Sequence, residues 1–223
     1  MRTGLDWKIK ESRKVIKAAL DKWAPDVGIA FTGGKDSTVL THLIRQETAK
    51  TPPLMFIDHR LHFKETYHFV KKLADEWGLN LFREADERAL KNLEKEKNLK
   101  KKRELARILK IKTIEKCIKK HNWKALFVGI RWDEHPARAS ERYFSEHNNH
   151  YRVHPILHFK EEDIWGYIKR YKLPYNPLYD RGYRSIGEEP FTKPVEDETA
   201  GERAGREKEK EKIMERLRAL GYF

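Results

Sequence analysis

The densest chemistry in the sequence lies in one run, Gly28-Ile29-Ala30-Phe31-Thr32-Gly33-Gly34-Lys35-Asp36-Ser37. An apolar stretch of strand length ends in Thr32-Gly33-Gly34, and Val39, Leu40, Leu43 and Ile44 then recur at helical spacing. Glycines let backbone N–H groups approach an anion closely, and the N-terminus of the following helix adds positive partial charge. Lys35 brings a full charge, while Asp36 and Ser37 are residue types that cap helices. The unit reads as a phosphate loop. It is not the G-x-x-x-x-G-K-[ST] loop of P-loop NTPases, because the glycine spacing differs and Asp36 stands where Ser or Thr would bind magnesium.

Other residues suit the same chemistry. Arg131, Arg138 and Arg184 offer planar guanidinium groups that match tetrahedral oxyanions two-pronged. Asp58 closes the apolar run Leu54–Ile57 and serves either a nucleotide, a magnesium ion or simply a turn. Asp133 and Glu134 either pair with Arg138 structurally or organise the site, and we favour the structural role. His147, His150, His154 and His158 form a weak zinc set, lying in a polar, non-helical segment without cysteine. Trp132, Trp165 and Tyr179 are read as either adenine-pocket walls or plain core. The single cysteine, Cys117, excludes an intramolecular disulfide and any four-cysteine zinc or iron–sulfur site built from this chain alone.

The elements that must position these groups alternate. The spacing predicts helices over about 5–23, from Asp36 onward and around Tyr67–Trp77, with strands at 27–31, 54–57, 79–82 and 125–130. A long basic helical region, broken once before about 101, precedes the last strand. After Arg131 the chain turns polar and His-rich, then helical over 160–171, loop-like over 174–206 and helical again over about 207–220. This order predicts an α/β fold: a parallel twisted, Rossmann-like sheet with helices on both faces and a C-terminal loop-rich, helical extension. We divide it into an N-terminal helix (1–24), a nucleotide-binding α/β domain (25–160) and a C-terminal helix, substrate loop and charged tail of the same domain (161–223).

Composition narrows the classes. The chain has 223 residues, 48 Lys and Arg against 35 Asp and Glu, and a formal net charge of +13. Mean hydropathy is −0.86, and no stretch approaches the ~20 apolar residues of a membrane helix. No apolar leader is visible at the N-terminus, so a soluble cytoplasmic protein is expected. The charge, concentrated between Lys91 and Lys120, suits a polyanion or a solvated Lys/Glu-rich surface; from sequence we favour the solvated surface over nucleic acid.

Thr32-Gly33-Gly34-Lys35-Asp36-Ser37 resembles the S-G-G-K-D-S loop of the PP-loop ATP pyrophosphatase superfamily, with Thr32 for the first Ser. Phe56-Ile57-Asp58-His59 with Phe63-Lys64-Glu65-Thr66-Tyr67 resembles a segment shared by sulfonucleotide reductases, the ATP sulfurylase small subunit and FAD synthetases. So does Gly129-Ile130-Arg131-Trp132-Asp133-Glu134. Ala137 to Ser145 is most similar to the sulfate adenylyltransferase small subunit, and Asn176–Asp180 with Gly182–Gly187 resembles a loop of both reductases and sulfurylases. The resemblance implies an adenine nucleotide alpha hydrolase-like fold and an adenylyltransferase that attacks the α-phosphate of ATP. Lys35, Asp36, Arg131 and Arg184 are then the expected catalytic residues. Thr32, Gly33, Gly34, Ser37, Asp58, Gly129, Arg138, Tyr183 and Ser185 are the expected nucleotide contacts. It also implies ATP as substrate, with Mg2+, and an oxyanion as the second substrate.

Departures from the pattern bear on the reaction. Reductases of this group carry a nucleophilic cysteine in an E-C-G-x-H-like tail; here Glu188 and Phe191 stand where other cysteines would sit, and the sequence closes Leu220-Gly221-Tyr222-Phe223. No iron–sulfur cluster is expected. The resemblance therefore favours sulfate adenylyltransferase of the small-subunit type, which works with a separate GTPase subunit and is compatible with a homo-oligomer. Against it, Ala200-Gly201-Glu202-Arg203-Ala204-Gly205-Arg206 is similar to a reductase segment. The alternatives are a reductase-family protein lacking the catalytic cysteine, an FAD synthetase-like adenylyltransferase and a PP-loop tRNA-modifying enzyme.

Overall fold

The computed structural model describes residues 4–206 apart from 148 and 198; the helix expected over 207–220 lies outside the described residues. The elements run α1 (Gly4–Trp23), β1 (Val27–Ala30), α2 (Lys35–Arg45), β2 (Leu54–Ile57), α3 (Lys64–Trp77), β3 (Leu81–Glu84), α4 (Glu87–Lys95), α5 (Leu99–Lys120), β4 (Ala125–Val128), β5 (Phe144–His147), β6 (His150–Val153) and α6 (Glu161–Tyr171). Six strands form one sheet in the order β3-β2-β1-β4-β6-β5. β3, β2, β1, β4 and β6 are parallel, and β5 closes the edge antiparallel to β6.

The central strands are apolar throughout because both faces are covered. Alternation divides their side chains between two cores. Leu54, Phe56, Ile29 and Phe127 join Val39, Leu43, Ile164 and Tyr167, so α1, α2 and α6 pack on one face. Met55, Ile57 and Leu126 join Ile114, Cys117 and Ile118 of α5 on the other. A third cluster (Leu90, Leu93, Ala106, Leu109) locks α4 against the first half of α5, with Leu61 and Ala85 packed beneath.

Three boundaries differ from the sequence reading. The third strand begins at Leu81, two residues late: Gly78 adopts the left-handed conformation after α3, and the Leu79 N–H donates back to the Ala74 carbonyl at 2.8 Å. β4 stops at Val128, leaving Gly129 and Ile130 to turn into the site. The hairpin β5–β6 was not expected, and it makes the sheet mixed rather than wholly parallel. β5 is a polar strand at the sheet edge, and β6, though paired on both sides, buries His150 and Arg152 beside Val153, so neither carries the apolar run of a buried strand.

Candidate active site

Sheet order sets the place. The chain builds outward from β1 through β2 to β3, then returns to lay β4 on the other flank of β1. In open α/β sheets the crevice at such a reversal, beyond the carboxyl ends of the strands, takes ligands. A cavity of about 190 Å³ occupies this position. Phe56, Ile57, Ile114, Leu126 and Val128 form its apolar walls, while Lys35, Asp36, Arg138, Arg152, Arg203 and Arg206 also border it.

The phosphate loop is held by its own hydrogen bonds. Gly33 has φ +73°, and a Cβ there would lie 2.9 Å from Val70 Cγ2, so the turn requires glycine. At Gly34 an added Cβ would meet only ordinary contacts, Thr32 Oγ1 at 3.4 Å and Tyr179 Oη at 3.5 Å. The Thr32 N–H donates to Ser37 Oγ at 3.3 Å, and Ser37 Oγ donates to the Gly34 carbonyl at 3.0 Å. The Lys35 N–H donates to Tyr179 Oη at 2.8 Å, tying the start of α2 to the C-terminal loop. Gly129 closes on the other side: a Cβ there would lie 3.2 Å from the Asp36 carbonyl and the Ser37 nitrogen.

Two buried cations, Lys35 and Arg131, stand at the start of α2. Lys35 Nζ donates to the Arg184 carbonyl at 3.0 Å and to the Glu202 carboxylate, with Asp36 Oδ2 at 3.7 Å. The Arg131 guanidinium, wholly buried, pairs with Asp36, Asp133 and Glu202. Burial works against both charges, yet Asp36 leads a set of neighbours that hold each above its ordinary pKa. Glu202 thus bridges the two cations with its two oxygens, as a bound oxyanion would. Its own carboxyl is pushed up to about 7, because burial, with Asp36 and Glu134, outweighs the attraction of Lys35 and Arg131.

Around this centre, Glu134 accepts from Arg138 and, at 2.8 Å, from Arg203; burial would raise its carboxyl, but these two arginines hold it well below the usual range. Arg206 donates to the Ile186 carbonyl. His59 and His62 stack at 4.1 Å on the apolar side; burial lowers His62 to about 4 and keeps it neutral.

The structure distributes the sequence candidates unevenly. Thr32, Gly34, Lys35, Asp36, Ser37, Gly129, Arg138 and Ser185 line the cavity. Arg131 stands directly behind, through Asp36 and Glu202. Four others are engaged elsewhere. Gly33 packs towards Val70. Asp58 accepts from Tyr67 Oη at 2.6 Å and pairs with Arg83 at 2.6 Å, so it is a structural carboxylate outside the cavity lining. The Tyr183 ring packs edge-on against Phe63, and Arg184 donates to Glu161 at 2.7 Å, reaching the site through its backbone carbonyl. Of the three aromatic candidates Tyr179 alone lines the cavity; Trp132 donates to the Glu141 carbonyl and Trp165 packs on Tyr175 and Tyr179. His154 and His158 face separate carbonyls, those of Arg142 and Lys8. Sequence reasoning missed Glu202, Arg152, His59 and His62; the resemblance of 200–206 to a reductase segment was the one signal pointing to Glu202.

Cys117 is buried in the α5-side core, and burial pushes its thiol up to about 12.

Residues 26–194 match the phosphoadenosine phosphosulfate reductase domain. The sequence is 31% identical over 198 residues to adenosine 5′-phosphosulfate reductase 1 of Bacillus subtilis, covering 83% of this chain and 82% of that protein. It is 30% identical over 209 residues to the adenosine 5′-phosphosulfate reductase of Halalkalibacterium halodurans, covering 88% and 87%. The fold is shared with a phosphoadenylyl-sulfate reductase from Candida auris (TM-score 0.69, 21% identity, 84% of this chain and 95% of that one). It is also shared with Candida glabrata FMN adenylyltransferase in complex with FMN and an ATP analogue (TM-score 0.68, 21% identity, 88% and 68%).

Proposed function

The chain belongs to the phosphoadenosine phosphosulfate reductase family, and from that premise we propose that its cavity binds an adenosine nucleotide carrying a second anion on its 5′-phosphate, adenosine 5′-phosphosulfate foremost. The observation that carries this reading is the joining of two environments in one cavity. Phe56, Ile57, Leu126 and Val128 offer apolar walls suited to a purine and ribose. Lys35 and the N-terminus of α2 offer donors for an oxyanion at the cavity wall, with Arg131 behind them, and an incoming anion would take the bridging place that Glu202 holds between the two cations. The named reductase relatives support phosphosulfate as the ligand. In the corresponding reaction a thiolate attacks sulfur, the bond from sulfur to the phosphate oxygen breaks, and AMP leaves while the thiol becomes S-sulfonated. Cys117 does not suit that role, since it is buried and held protonated.

The burial of Cys117 favours a second reading: adenylyl transfer from ATP, in which an acceptor attacks the α-phosphate and Lys35, with Arg131 behind it, holds the departing pyrophosphate. An ATP-bound magnesium ion would find the Asp36 carboxylate at the cavity wall and would neutralise charge on the phosphates. Sulfate as that acceptor, the expectation drawn from sequence, has no support among the relatives and neighbours above. Calorimetry with adenosine 5′-phosphosulfate, ATP and AMP tests the shared premise. Binding of the phosphosulfate or ATP at least about tenfold tighter than AMP is expected; equal affinities would show that no second anion is read. Sulfite and AMP formed with an added dithiol, against pyrophosphate formed from ATP, then separates the two reactions.

A further inference from the structure

Between Lys91 and Lys120 the sequence carries thirteen Lys and Arg against four Asp and Glu, a net +9 out of the chain's +13. The structure folds these residues into the α4–α5 hairpin. On α3 the charges are neutralised locally: Lys71 pairs with Asp75 at 2.7 Å and Lys72 with Glu76 at 3.6 Å, each one turn apart. On the hairpin this compensation fails. Among the described residues, Lys91, Lys95, Lys97, Lys100, Lys101, Lys102, Lys112 and Lys119 make no ion pair, and all but Lys102 are exposed. Like charges gathered this way repel one another, and a polyanion laid across them would relieve that repulsion.

Position adds a second argument. The hairpin packs on Leu61 and Ala85, which follow β2 and β3 at the cavity-bearing edge of the sheet. Lys110 and Ile114 of α5 line the cavity itself, and the Arg103 guanidinium sits 4.9 Å over the Phe191 ring of the C-terminal loop. A positive surface therefore runs from the lysines of the hairpin to the cavity mouth.

We propose that the α4–α5 hairpin docks RNA, its lysines lying along the phosphate backbone and an unpaired nucleotide brought to the cavity mouth. A bilayer fits less well: the apolar residues Ala106, Leu109, Ile114 and Ile118 are turned into the protein, leaving Leu99, Leu105 and Ile108 scattered among lysines on the outer side. Duplex DNA fits less well because its bases stay stacked, whereas RNA loops present single nucleotides to a pocket. Docking is independent of the reaction proposed above; delivery of a nucleotide to the cavity rests on that reading.

The test uses the full chain and a fluorescein-labelled RNA stem–loop, with anisotropy read across about 50 to 200 mM salt. Binding that weakens steeply with salt is expected. The variant K91Q/K95Q/K100Q/K101Q, checked for folding by circular dichroism, is expected to lose at least about tenfold in affinity and to lower the slope of log K against log salt by about 3. Its calorimetric affinity for adenosine 5′-phosphosulfate and ATP stays that of the parent, because none of the four residues borders the cavity. Failure of the nucleotide titration and failure of the RNA titration are thus read separately. No RNA binding at low salt, or an unchanged slope in the folded variant, overturns the proposal. Equal binding to duplex DNA or to phosphatidylserine vesicles overturns the choice of RNA.

Discussion

Lys35 and Arg131 are buried charges that survive because carboxylates stand against them, and one of those carboxylates competes with any incoming anion. Lys35→Ala removes the cation on which negative charge gathers as an anionic group departs. Turnover is expected to fall by about 10²–10³ with a smaller change in KM, measured in whichever of the two assays responds; a raised KM with unchanged turnover would mean that Lys35 contributes uniform binding only. Glu202 sets the pH dependence. Its pKa is raised from 4.5 to about 7, so above this pH it is ionised and holds Lys35 and Arg131, and below it the protonated acid releases them. Affinity for adenosine 5′-phosphosulfate is therefore expected to rise as pH falls from about 8 to about 6, and Glu202→Gln should bind more tightly at the upper pH and flatten the profile. The same shift favours the folded state fully below pH 4.5, a contribution lost as pH rises through about 7. A wild-type titration that is flat across this range would place the Glu202 pKa elsewhere.

At the scale of elements, the site depends on how closely α2 and α5 approach the sheet. Gly28 in β1 lies beneath the Trp123 indole, where an added Cβ would sit 2.5 Å from Cζ3. Gly28→Ala overpacks this contact and is expected to lower stability by about 1–3 kcal/mol, read as a lower urea midpoint at unchanged m-value. An unshifted midpoint would mean that Trp123 swings aside at little cost. The β4–α2 junction works similarly around Gly129. The helices were legible from their apolar spacing, and β1, β2 and β4 from their apolar runs, because burial on both faces leaves a continuous signal. β3 was misplaced by the turn that leaves α3, and β5–β6 left no apolar run to find.

For the whole molecule, a ligand that bridges strand ends, α2 and the C-terminal loop should stabilise all of them together. Adenosine 5′-phosphosulfate at about 100 times its Kd is expected to add about 2.7 kcal/mol and to raise Tm by roughly 5–10 °C. AMP at the same concentration should do much less; matching shifts would assign the affinity to the adenosine end alone. Among the described residues no helix is long and apolar enough to cross a membrane.

The alternation of strands and helices as far as β4, the phosphate loop and the family were readable in the sequence, because each rests on residues close together along the chain. Backbone φ preferences, helical spacing and a glycine-rich turn are local properties. Tertiary structure decided which charges meet. Glu202 comes to Lys35 across 167 residues, Tyr179 reaches the start of α2 across 144, and Asp58, at the end of β2, is drawn instead to Tyr67 and Arg83. Such contacts follow from the order of strands in the sheet and the path of the C-terminal loop over their ends. Nothing in the local pattern of a carboxylate or an arginine records which distant partner the packed chain will bring to it.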